Sequence, residues 1–261
     1  MAKSRPEQVA DGVWRLTGDI KGGMNVYFIA DEGGVTMFDA GTEPMTKSVK
    51  AAGEELGGLK RIVLGHAHTD HRGAAPGQDV PVYCHPDEVA DAERTEWNLS
   101  YWDHSKLSVA WVRWLYPTLH RRWDGGPVEV AGTLSEGDPV GDFEVVHLPG
   151  HAPGLIGLWR ASDSLAIVTD AVYFVDSERL KASPELDVPN LEGHEANVAH
   201  PAFNWNTQKA RDSLRKLAGL RPKTVWAGHE ESLSGDPGAV AEELERGAAK
   251  KYSERARDDS A

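Results

Sequence analysis

One six-residue run constrains this chain more than any other feature: His66-Ala67-His68-Thr69-Asp70-His71, directly after Gly65. The residues before it, Arg61 to Leu64, read as a buried strand, so the run opens where a strand stops. In extended chain, side chains two apart share a face. His66 and His68 are therefore able to grip one ion together, while Asp70 and His71 turn toward a second. Imidazole and carboxylate are the donors expected for borderline metals such as zinc. The alternative is a polar loop that happens to hold histidines. With 11 histidines in 261 residues, three of them and an aspartate within six positions weigh against accident.

Three later residues extend the set. His151 lies in Leu148-Pro149-Gly150-His151-Ala152-Pro153-Gly154, a tight loop just past an apolar strand. Asp170 ends the strand Leu165 to Thr169, and His229 follows the strand Thr224 to Ala227 through Gly228. Taken singly, each reads as a cap or surface residue. As a series at strand ends, where sites in α/β proteins gather, they read as ligands.

The rest of the pattern alternates strands and helices. Strands are expected at Val13 to Thr17, Met24 to Ala30, Val35 to Phe38, Val80 to Cys84, Phe143 to Leu148 and Leu155 to Trp159. A helix follows Pro44 with Val49, Ala52 and Leu56 on one face, and another begins at Pro86-Asp87. Ala210, Leu214 and Leu217 give helical spacing closed by Gly219, and Asp236-Pro237 caps a last helix carrying Val240 and Leu244. The polar tail beyond Lys250 is expected to fray. Periodicity of this kind implies sheet layers flanked by helices without choosing among α/β architectures.

Composition narrows the partners. The chain is long enough for one large domain, and its 40% hydrophobic content is that of a globular protein. Asp and Glu outnumber Lys and Arg by 41 to 28, for a formal net charge of −13, which disfavours nucleic acid and anionic lipid. The single cysteine, Cys84, allows no intrachain disulfide. Residues Met1 to Trp14 have no apolar stretch of the signal-peptide kind, and no apolar run reaches membrane-spanning length. The expectation is a cytoplasmic protein with a small-molecule substrate and no membrane or nucleic-acid partner.

The order HxHxDH followed by separate His, Asp and His resembles the metallo-β-lactamase superfamily, over most of the chain from Val13 to Glu230. Phe38-Asp39-Ala40-Gly41 is similar to that family's aspartate-containing turn. The resemblance implies a single-domain αββα sandwich with its site along one sheet edge. It implies two divalent metal ions, zinc favoured, with iron or manganese also suited to these donors. His66, His68 and His151 would hold the first, Asp70, His71 and His229 the second, and Asp170 would bridge them. Asp39 would orient the motif. Many members have glycine before the bridging aspartate where this chain has Thr169, a β-branched residue expected to suit a strand end.

Such a site implies hydrolysis, with a metal-bridging hydroxide attacking an acyl carbon and Asp70 placed for proton transfer. Asp170-Ala171-Val172-Tyr173 resembles the Asp-Ala-x-Tyr segment of N-acyl homoserine lactonases, which makes Tyr173 a candidate catalytic residue; the other reading is a tyrosine packed at a strand end. A lactone or ester is the expected substrate. Thioester hydrolysis of the glyoxalase II kind, β-lactam hydrolysis and iron-dependent sulfur oxidation on the same scaffold are the alternatives. A bridging aspartate at 170 weighs against β-lactams. The segment 97–123 holds five of the nine tryptophans and reads as a helical insertion: an apolar roof over the site, packed core, or a homodimer interface. Residues 174–205 are a second candidate lid.

Overall fold

The computed structural model describes residues 5–19, 23–107, 110–176, 194–229 and 231–250. It divides into two compact units, the first Met1–Trp97 with Leu119–Val145, the second Asn98–Thr118 with Val146–Ala261.

The first unit is built on a seven-stranded sheet: β1 (Glu7–Ala10), β2 (Val13–Gly18), β3 (Met24–Asp31), β4 (Gly34–Phe38), β5 (Leu59–Val63), β6 (Val82–Cys84) and β7 (Val130–Thr133), paired in chain order. β1 to β4 form an antiparallel meander, and β4 to β7 run parallel. Parallel strands need a crossover, and helix α1 (Thr46–Glu55) supplies the one from β4 to β5, burying Val49 and Ala52. Leu16, Val26, Phe28, Met37, Ile62 and Leu64 fill the core of this unit. The parallel arrangement has one consequence for function: β4, β5 and β6 all end at the same sheet edge. Phe38 pairs with Val63 and Val63 with Tyr83. The loops beginning at Asp39, Gly65 and His85 therefore emerge side by side.

After β5 comes the one-turn helix α2 (Thr69–Arg72), and after β6 a 3-10 turn (Pro86–Glu88) running into α3 (Val89–Ala92). Gly73 ends the motif because nothing larger fits: a Cβ there would lie 1.9 Å from the Trp123 carbonyl oxygen. Helix α4 (Ala110–Trp123) lies in the tryptophan-rich segment and carries Pro117 in its interior. Trp102 and Trp123 are buried, whereas Trp114 is 80% exposed.

A six-stranded sheet has the order β15-β14-β11-β10-β9-β8, from β8 (Pro139–Val140), β9 (Phe143–His147), β10 (Ile156–Arg160), β11 (Leu165–Ile167), β14 (Thr224–Trp226) and β15 (Ser232–Ser234). The chain enters the second unit within β9. β12 (Tyr173–Asp176) and β13 (His194–Asn197) make a separate antiparallel pair. Helices α5 (Thr207–Gly219) and α6 (Pro237–Ala249) bury Leu214, Leu217 and Leu244 with Leu148, Leu155 and Val168. Asp236 caps α6, accepting from Gly238 and Ala239 N–H, as expected from its sequence. Residues 177–193 of the second candidate lid and the tail from 251 lie outside the described residues. Among those described, no helix is long and apolar enough to cross a membrane.

Six strands among the described residues are additional to those expected, and one expectation needs correction. β1, β7, β8, β12, β13 and β15 were not foreseen: they are two to four residues long, too short to show a period. Thr169 does not continue a strand. It opens a 3-10 turn at φ +43°, a left-handed conformation that a β-branched side chain adopts only under strain. Its hydroxyl is buried and has no hydrogen-bond partner among the described residues. Thr169→Gly is therefore expected to raise Tm by roughly 2–4 °C, since relief of about 1–2 kcal/mol of left-handed strain and of a buried unpaired hydroxyl outweighs glycine's entropy cost. Thermal unfolding of the metal-free protein, followed by circular dichroism, checks it; an unchanged or lower Tm would show that Thr169 is well accommodated.

Candidate functional site

The first unit brings together the histidines of the motif. Gly65 N–H donates to Asp39 Oδ1 at 2.7 Å, and Ala67 N–H donates to Glu88 Oε2 at 2.8 Å. Amides at alternate positions are thus held, and His66 and His68 project from the residues between and after them. The His66 ring centroid lies 4.3 Å from that of His68 and 4.1 Å from that of His71. His71 sits on α2 with Asp70, both buried, and its Nδ1 is 2.8 Å from Asp39 Oδ2. A carboxylate only accepts, so Nδ1 carries the proton and Nε2 the lone pair a metal needs. Asp39, His66 and His71 offer ligand atoms within 4.8 Å of one another. Both Asp39 oxygens are engaged by Gly65 and His71, which gives it the orienting part.

Arg72 pins α2 from behind. Its Nη1 donates to the carbonyls of Asp91 at 2.7 Å and Ala92 at 2.9 Å, and its Nη2 to Asp124 Oδ1 at 3.2 Å. Thr69 Oγ1 meets His120 Nδ1 at 2.9 Å. Burial, with Glu88 and Glu93 nearby, pushes the Cys84 thiol up to about 12, so it stays protonated at neutral pH.

The second unit assembles the remaining candidates through strand register. β11 and β14 are parallel with Ile167 opposite Trp226. Residues three further on, Asp170 and His229, therefore leave the sheet together. Val168 N–H donates to Trp226 O at 2.9 Å and Gly228 N–H to Thr169 O at 2.8 Å, extending the pairing beyond the strands. β10 runs antiparallel to β11, so the loop before β10, which carries His151, opens at that same edge. Gly150, at φ +142°, lets this loop pack against α5: a Cβ would lie 2.1 Å from Ala210 N.

Asp170 Oδ2 lies 3.4 Å from His151 Nε2 and 3.5 Å from His229 Nε2. Tyr173 donates its hydroxyl hydrogen to that same oxygen, and its ring stacks on His229 at 5.6 Å with an 8° interplanar angle. Asn204 Nδ2 donates to Ala199 O at 2.8 Å and Thr207 Oγ1 at 3.2 Å, which turns its Oδ1 toward His151 Nδ1 at 3.1 Å. His151 is thereby held in the tautomer that leaves Nε2 with the lone pair, as Asp39 does for His71.

Each unit thus presents buried or half-buried imidazoles beside carboxylate, with Nδ1 protons assigned to His71 and His151 by carbonyl or carboxylate partners. That donor chemistry fits divalent metal. Other histidines are engaged elsewhere. His85 Nδ1 accepts from Asp87 N–H, His147 Nε2 lies 3.2 Å from Pro153 O, and His200 Nδ1 accepts from Ala202 N–H. Reading the sequence missed Arg72, Glu88 and Asn204. Arg72 adjoins the motif, but nothing in a linear pattern marks a charged side chain as buried.

A family model for the metallo-beta-lactamase superfamily matches residues 20–229, a span that takes in parts of both units. The probable metallo-hydrolase YflN of Bacillus subtilis (strain 168) is 30% identical over 241 residues, 87% of this chain and 87% of that protein. Among solved structures, the metallo-beta-lactamase family protein TTHA1429 from Thermus thermophilus superposes with a TM-score of 0.62 at 22% identity, over 92% of this chain and 80% of its own. TTHA1623, solved in a di-iron-bound form, gives 0.57 at 25% identity, over 88% of this chain and 97% of its own. The α/β metallo-β-lactamase fold expected from the sequence is the fold this chain has. With the family model spanning most of its length, the chain belongs to the metallo-β-lactamase superfamily.

Proposed function

We propose that this protein is a dinuclear metal-dependent hydrolase that opens a lactone or ester. His66, His68 and His151 would hold one divalent ion and Asp70, His71 and His229 the other, with Asp170 between them. Divalent metal held there would supply an acidified water and polarisation of an acyl oxygen. The chain's own residues then supply orientation and proton handling. Asp39 and Asn204 keep His71 and His151 in their working tautomers. Asp70, buried on α2, is the group placed to take up a proton.

The observation that carries the substrate class is Tyr173. Its hydroxyl already reaches the Asp170 carboxylate, and stacking on His229 holds the ring. With Asp170 engaged as a ligand, that O–H donates to a substrate oxygen as charge builds on it. An acidic chain with a net charge of −13 also suits a small uncharged acyl substrate better than a polyanion. Zinc is the metal we propose. Iron is the alternative, since the relative TTHA1623 was solved with two irons, and it would open the way to redox chemistry on sulfur. Metal analysis of the purified protein separates the two.

Metal-replete enzyme, followed by a pH indicator across lactones, esters and thioesters, is expected to release acid on lactones or esters, and chelation should abolish it. Asp70→Asn should lower kcat/KM on the order of 10²–10⁴-fold in a folded protein; unchanged turnover would sink the hydrolase mechanism. Tyr173→Phe is expected to lower lactone kcat on the order of 10²-fold while metal content stays at parental level. A kinetically silent Tyr173→Phe would remove the support for lactones.

A further inference from the structure

We propose that Glu88 is a positioning residue for the metal-binding histidines, holding the His66–His68 segment through the Ala67 amide. The inference rests on the metal-centre reading above.

Glu88 is fully buried, and an ionised carboxylate in such a place costs several kcal/mol unless it is well bonded. Helix capping does not account for it. It occupies the N-cap position of α3, where Ser, Thr, Asp or Asn would serve, and its side chain makes no cap hydrogen bond. The side chain instead crosses to the neighbouring parallel strand's loop and accepts the Ala67 N–H at 2.8 Å. The turn beneath it is itself braced: Glu88 N–H donates to His85 O at 2.9 Å, and His85 Nδ1 accepts from Asp87 N–H at 3.2 Å.

Ala67 stands between two proposed ligands. Asp39 holds Gly65 N–H from one side and Glu88 holds Ala67 N–H from the other, so the backbone on both sides of His66 is fastened to buried carboxylates from adjacent strand ends. Without the Glu88 acceptor the Ala67 amide is left buried and unpaired, and the loop relaxes by rotating the peptides that aim His66 and His68. Partners of this kind typically change metal affinity 10–100-fold.

The test is zinc affinity by chelator competition, with Tm of the metal-free protein recorded alongside. E88M keeps the volume but removes the acceptor, and E88Q keeps an acceptor oxygen. The expected result is zinc bound roughly 10–100-fold more weakly by E88M with its metal-free Tm near the parent's, and within about 3-fold of the parent by E88Q. Parental affinity in E88M, or E88Q as weak as E88M, overturns the proposal. If E88M does not fold, E88D withdraws the carboxyl group by one methylene while keeping its chemistry: weakened binding supports the assignment, and parental binding defeats it. Failure of the parent to bind zinc would instead count against the metal centre itself.

Discussion

Asp39 accepts two hydrogens at once, from the Gly65 amide and from His71 Nδ1, and the motif's geometry in the first unit hangs on that pair of bonds. The residue is buried and its backbone sits at φ +58°, a conformation aspartate tolerates better than most side chains. One bond holds the start of the loop and the other sets the tautomer of a side chain six residues later. A neutral acceptor would hold the loop and the Nδ1 proton as well, as Asn204 does for His151, but a carboxylate increases the basicity of Nε2 further.

Around that interaction the first unit repeats one device. Three consecutive parallel strands end at one edge, and each delivers an element: Asp39 after β4, the histidine motif after β5, Glu88 after β6. The two flanking elements hold the middle one by its backbone. The second unit reaches an equivalent result through register, since Ile167 opposite Trp226 places Asp170 and His229 together. In both, the sheet is the rigid part and the chemistry rides on short loops whose amides are tied down.

The arrangement costs stability. Buried carboxylates, an arginine whose guanidinium caps backbone carbonyls, and Thr169 held left-handed are each less favourable than apolar packing. They concentrate at the strand ends that carry the candidate ligands. The cores of the two units, by contrast, are ordinary aliphatic and aromatic packing.

The sequence by itself determined the candidate donors. The run from His66 to His71, with His151, Asp170, Tyr173 and His229 in fixed order, is local chemistry that no packing is needed to read, and the longer strands and helices followed from their periods. Only the tertiary structure decided which group answers which. Asp39 meets Gly65 across 26 residues, Glu88 meets Ala67 across 21, and Asn204 meets His151 across 53. The strain at Thr169 was likewise out of reach, because residue type says what a side chain prefers and not what φ the β11–β14 register imposes. Contacts of that separation depend on how strands pair, and strand pairing is set by burial summed over whole sheets, not by the residues that use it.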